Sequence, residues 1–127
     1  MLTVELRGID ALQRRLARLG TEAPRAVAAG LLEEAETIAT RSAELVPVDT
    51  GTLRSSQHVT PPETRGGVTE VQIAYGGPAA PYALAVHEDL TARHPVGQAK
   101  YLEQPATEAL RGMVERLGAH VERVAQG

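Results

Sequence analysis

The sequence predicts an α+β domain: a small antiparallel sheet with two long helices and one short helix packed on it. Three observations predict it. Apolar residues recur at helical spacing over two long stretches, before Pro47 and after Pro105. Between them, Val71, Ile73 and Tyr75 alternate with Glu70, Gln72 and Ala74, the period of a half-buried strand. Clusters of Pro and Gly punctuate the extended segments as turns rather than as domain linkers. With 127 residues and 43% hydrophobic positions, residues 1–127 read as one domain with a single core.

At the N-terminus, Leu2, Val4 and Leu6 alternate with Thr3 and Glu5 as a strand that Gly8 ends. Ile9, Leu12, Leu16 and Leu19 then mark a short amphipathic helix with Gly20 as its C-cap. Thr21 is the expected cap of a second helix of ~37 Å, with Pro24 in its first turn. Val27, Leu31, Ile38 and Leu45 give that helix one buried stripe, broadened by Ala28, Leu32, Ala35, Ala39 and Ala43. Beyond Pro47, Leu53 to Thr60 and Val68 to Tyr75 are expected to be extended, joined by an exposed hairpin loop from Pro61 to Gly67. Pro81 to Val86 is apolar but too short to assign, and a long connection is expected from His87 to about Lys100. Pro105 reads as the start of a last helix whose apolar face runs through Ala106, Ala109, Leu110, Met113, Val114, Leu117, Val121 and Val124.

Composition excludes several functions. Three Tyr, no Phe and no Trp leave an aliphatic core, which points to modest stability alone and to an oligomer. The absence of Cys removes disulfides, thiolate nucleophiles and thiolate metal sites, and suits a reducing compartment. No apolar run approaches the ~20 residues of a membrane span, and the N-terminus lacks the pattern of a signal peptide, so a soluble, intracellular chain is expected. A formal charge of −3, from 13 basic and 16 acidic residues, argues against nucleic-acid binding by phosphate neutralisation.

The most distinctive segment is Pro47-Val48-Asp49-Thr50-Gly51-Thr52-Leu53-Arg54-Ser55-Ser56. Asp-Thr-Gly is compatible with half of an aspartic protease, in which two chains each supply one carboxylate to a shared-proton pair. It is equally compatible with a structural turn, in which Pro47 stops the helix, Asp49 accepts downstream backbone N–H groups and Gly51 takes a positive φ. A helix running straight into the turn and another closing the chain favour the second reading. Arg54 is placed to pair with Asp49 or a neighbouring acid. His87, Glu88, Asp89 and His94 fall close together in a polar segment, but at no helical metal-ligand spacing. His58 and His120 read as surface residues, Ser55 and Ser56 have no evident base, and Gly76-Gly77-Pro78 lacks the spacing of a phosphate loop. No catalytic, cofactor or metal residue is assigned.

Three motifs in order carry a resemblance: Pro47–Ser56 after a long helix, then Tyr82-Ala83-Leu84-Ala85-Val86-His87-Glu88, then His94-Pro95-Val96-Gly97-Gln98-Ala99-Lys100-Tyr101-Leu102-Glu103-Gln104-Pro105 before the last helix. Together, over residues 22–125, they closely resemble the tail-completion or head-to-tail joining neck proteins of long-tailed phages, often labelled minor capsid or tail component. Asp89-Leu90 stands where many members carry Gly, which leaves open the subgroup: tail completion, tail terminator or minor capsid. The resemblance implies a non-enzymatic virion subunit, in a ring that is expected to be hexameric, joining the capsid connector to the tail tube. Its implied partners are itself and other neck and tail proteins, without membrane or sequence-specific nucleic acid. Its implied location is the virion neck, and the host cytoplasm during assembly. The turn residues Pro47, Asp49, Thr50, Gly51, Leu53 and Arg54 are the expected motif, and the expected assembly surface comprises Pro61, Pro62, Arg65, Tyr82, His87, Glu88, His94, Pro95, Lys100 and Tyr101.

Overall fold

The structure, a computed structural model, describes residues 2–5, 14, 16–46, 54–76, 82–87, 91–94 and 100–126. In chain order these form β1 (Leu2–Glu5), a helical segment at residues 16–19, a 3-10 turn (Gly20–Glu22) and α1 (Ala23–Leu45). There follow β2 (His58–Val59), β3 (Glu63–Arg65), β4 (Val68–Ala74), β5 (Tyr82–His87), β6 (Thr91–His94), α2 (Lys100–Leu110) and α3 (Met113–Gln126). All pairings are antiparallel, in the order β1-β6-β5-β4-β2, with β3 also on β4. The class is α+β, as the alternation of periods 3.6 and 2 predicts.

α1 organises the core. It buries Ala26, Gly30, Leu31, Glu34, Ala35, Ile38, Ala39 and Ser42, contacts β4, and is contacted in turn by α2 and α3. Leu45, expected on the buried stripe, is 45% exposed. The helix ends there, and Val46, with ψ 133°, turns inward to take the buried position instead. The N-terminal cap also differs from expectation. Thr21 lies inside the 3-10 turn, and Glu22 occupies the cap position without a side-chain cap bond, so Pro24 in the first turn and Gly20 at φ 58° set the boundary.

On β4, Thr69, Val71 and Ile73 are buried while Gln72 is exposed, the alternation read from the sequence. The segment from Leu53 to Thr60 is not one strand. Residues 54–55 are helical, and pairing with β4 begins only at His58. The expected loop from Pro61 to Gly67 is also mostly strand, because Glu63–Arg65 pairs with Glu70–Val68. The turn itself is Gly66–Gly67, both at positive φ (55° and 78°), which suits a two-residue hairpin. Partner numbers across β2 and β3 slip by one residue, so Pro61 and Pro62 share one place opposite β4 as a bulge. Thr60 stitches the bulge by donating its N–H to the Gln72 carbonyl (2.9 Å) and accepting the Gln72 N–H on its hydroxyl (2.9 Å). The unassigned run before Val86 is β5, and part of the expected long connection is β6.

The last helix starts at Lys100, so Pro105 lies inside it rather than at its start. Loss of one intrahelical bond there is offset by packing of the first turn, where Leu102 is buried and the Tyr101 ring meets Tyr75 edge-on at 5.3 Å. The apolar face runs on through Val121 but is divided at Gly112 (φ 74°), and Val124 at its end is 39% exposed.

α1 and α3 pack closely at Gly30, where a Cβ would stand 2.9 Å from Leu117 Cδ2 and 3.3 Å from His120 Cδ2. Both neighbours are held in the core, so Gly30→Ala should destabilise the protein by about 1 kcal/mol, overpacking outweighing the gain in helix propensity. Urea unfolding checks this. A stabilised variant would mean that the two helices separate at little cost.

Candidate functional site

The turn from Pro47 to Leu53 lies outside the described residues, and so do the side chains of Pro47, Asp49, Thr50, Gly51 and Leu53. Its two ends are described, and they are tied together. Val46 closes α1 by donating its N–H to Ser42 O (3.1 Å). Arg54 then reaches back across the turn, and its Nη2 donates to Val46 O at 3.0 Å. This puts a guanidinium on the carbonyl end of α1, where the helix dipole favours a cation. The expected pairing of Arg54 with Asp49 lies outside the described residues.

A buried polar brace ties α1 to β4 nearby. Gln57 Nε2 donates to Ala39 O (2.7 Å) and to the Tyr75 hydroxyl (2.9 Å), and a 2.7 Å bond joins that hydroxyl to Ser42 Oγ. Ser42 and Tyr75 are both buried, so every polar atom of this cluster needs its partner. Ser56 Oγ accepts the Gly76 N–H at 2.8 Å, fixing the start of β2 to the end of β4. Four elements therefore meet at this brace: α1, the segment leading into β2, the end of β4 and, through Tyr101, α2.

Of the expected assembly residues, Glu88 and Pro95 lie outside the described residues. Pro61 and Pro62 form the edge bulge, and exposed Arg65 meets Glu63 at 3.2 Å beside the hairpin turn. His87 ends β5 opposite Val68, next to that turn. Tyr82 stands at the other end of the ladder opposite Ile73, on the side of the brace. Tyr101 is half-buried against Tyr75, and exposed Lys100 opens α2 on a mixed-charge face with Glu103, Gln104, Thr107, Glu108 and Arg111. The expected surface is thus dispersed: Arg65 and His87 lie at one end of β4 and Tyr82 and Tyr101 at the other, ~23 Å away, with Pro61 and Pro62 opposite its middle. His94 is on β6 opposite Leu2, and the ladder sets it three register steps from the place facing His87, at the opposite parity. Among the described residues no group of three His, Asp or Glu could hold a metal ion, and no helix is long and apolar enough to cross a membrane.

Two features between α1 and α3 escaped the sequence reading. Glu34, 11% exposed at its side chain, accepts Arg116 Nε at 2.8 Å and Arg116 Nη2 at 2.7 Å as a two-pronged pair. Arg116 also donates to the carbonyls of Arg111 (3.0 Å) and Ala109. The hydrogen bond to Glu34 holds its guanidinium above its ordinary value, against the opposing effect of burial and with help from the charges of Glu34 and Glu115. A raised guanidinium contributes stability below its ordinary value and loses it only as pH rises through the raised one, so its own titration leaves the pair intact across the working pH range. His120, read as a surface residue, is largely buried: Nδ1 stands 3.0 Å from Glu33 Oε2, and Nε2 is enclosed without a described partner. Arg123 Nη2 also approaches Nδ1, at 3.4 Å. A Glu on the polar side of α1 gave no signal of a distant partner. Helical spacing did place Arg116 one turn from Gly112.

No family model, curated protein or solved structure matches the chain.

Two stability measurements test this geometry. Tyr75→Phe removes the described partner of buried Ser42 and one of the two of Gln57, and should lower stability by about 1–2 kcal/mol; an unchanged unfolding midpoint would dismiss the brace. Arg116→Ala leaves the Glu34 carboxylate buried alone and two carbonyls uncapped, and should cost about 2–4 kcal/mol. Glu34→Ala leaves a half-exposed guanidinium still bonded to carbonyls and should cost about 1 kcal/mol. The reverse ranking would disprove the assignment of roles.

Proposed function

We propose that this chain is a structural subunit of the head–tail neck of a long-tailed phage, joining the capsid connector to the tail tube in a ring of identical copies and performing no reaction. One observation carries the reading: the three sequence motifs stand in order, with helix, strands and helix between them, over most of the chain. The α+β architecture is compatible with it.

Physical features support the reading further. A closed ring needs a heterologous contact, two different patches per subunit. Several of the expected assembly residues fall at two separate places, Tyr82 and Tyr101 at one end of β4 and Arg65 and His87 at the other, which suits two different patches. The first group rests on the Arg54, Gln57 and Tyr75 brace, a rigid seat for a segment that must fit a neighbour. Rigid support lowers the ordering entropy charged to each contact. In this reading Asp49 and Gly51 shape a turn, and the protein acts in the virion after assembly in the host cytoplasm. Tail completion is the assignment within the neck, with tail terminator and minor capsid protein its neighbours in the same class.

Deleting the gene should yield filled heads and separate tails in electron micrographs, with infectivity restored by the chain in trans. Asp49→Asn should restore assembly nearly as well as the native chain, whereas Gly51→Val should not. Infectious particles without the chain, or peptide cleavage by the purified protein that disappears in Asp49→Asn, would defeat the proposal.

A further inference from the structure

The last two helices share one apolar stripe that ignores the break between them. Leu102, Ala106, Leu110, Met113, Leu117 and Val121 would fall within about 100° of arc on a single unbroken helix. A helix pair joined by a sharp turn ordinarily shifts its pattern, since each half must aim its own face. Here the phase carries through Arg111 and Gly112 as though both were helical.

Two devices hold the break open. Gly112 sits at φ 74°, where a side chain is strained, and a Cβ there would meet Arg116 Nη1 at 3.1 Å. The second device is Arg116 itself. In a continuous helix the Ala109 carbonyl would accept the Met113 N–H and the Arg111 carbonyl the Glu115 N–H. The break removes both donors. The Arg116 guanidinium replaces them, donating to Ala109 O and Arg111 O while Glu34 of α1 anchors it from behind. Kinked and straight forms therefore satisfy the same carbonyls by different donors, which is the condition for two arrangements of similar energy.

We propose that Arg111–Gly112 is a domain-exchange hinge. When the Arg116 latch lets go, α2 and α3 fuse into one helix of about 40 Å, and α3 leaves its own α1 to cover α1 of a second copy of this chain. The exchanged pair remakes the Gly30, Leu117 and Glu34 contacts between copies, so the packing of α3 is recovered and only the hinge changes. The occupant is a second copy because the vacated face of α1 is complementary to α3 and to its unpaired Glu34. This inference stands apart from the neck proposal.

The chain has no cysteine, so introduced thiols report without background. One chain carries Glu33→Cys and another Arg123→Cys, positions whose native side chains approach to 3.9 Å across α1 and α3. The two are refolded together and treated with a short bis-maleimide, with the native hinge and with Gly112→Ala. Cross-linked heterodimer should rise about tenfold with Gly112→Ala, in step with dimer mass by light scattering. Ordinary contacts between copies, such as those of a ring, would cross-link both backgrounds alike. Arg116→Gln, which keeps Gly112 and removes the latch, is the second variant. An increase in either variant supports the hinge, and no increase in both overturns it.

Discussion

The hydroxyl of Tyr75 is the point on which this architecture depends. In a core built from Leu, Val, Ile and Ala, it is the largest fully buried side chain, and its oxygen is bonded to Ser42 on α1 and Gln57 ahead of β2. Its ring meets Tyr101 edge-on at the start of α2. An aliphatic core is tolerant of how its layers slide, because dispersion contacts are weak one by one and non-directional. Two directed bonds from one buried oxygen remove that freedom. They fix the end of α1 against the end of β4, and so fix where the chain must leave and return around the turn at residues 47–53.

The middle of α1 is set by a different rule. Gly30 lets α3 approach closely, and Glu34, one turn along, holds Arg116. Such a pair adds little net stability over an apolar substitute, but it specifies alignment. An unbroken apolar stripe on α2 and α3 could sit on α1 at several offsets one turn apart. Only one offset gives the buried carboxylate its guanidinium.

Much of this was legible in the chain and some was not, for physical reasons. The class followed from periodicity, and β4 from the strict alternation of Val71 and Ile73 with Gln72. Strand β6 was hidden because Thr91-Ala92-Arg93-His94 has no apolar alternation, and its place comes from pairing with β1, a partner distant in sequence. The bulge was read as loop because Pro61-Pro62 signals a breaker, while the strand resumes a residue later through hydrogen bonds the prolines do not supply. Pro105 misled in the reverse direction, since tertiary packing of Leu102 and Tyr101 extends a helix past the point where propensity would start it. At the candidate site, Arg54 is expected as an ion-pair partner, whereas its described contact is a main-chain carbonyl. Main-chain acceptors carry no identity in a sequence. His120 was missed because its burial depends on Gly30, a residue with no side chain to announce a contact.

The double-proline bulge at the β2–β3 margin has a consequence for how copies accumulate. An endless ribbon of sheets requires every copy to accept a strand on one margin and offer one on the other. Along this margin Pro61 and Pro62 present no N–H, and the extra residue throws the neighbouring groups out of step. Whatever the β1 side does, stacking by main-chain zippering ends at pairs. Fibrous growth along this margin is thereby disfavoured, and contacts there fall to side chains rather than to the main chain.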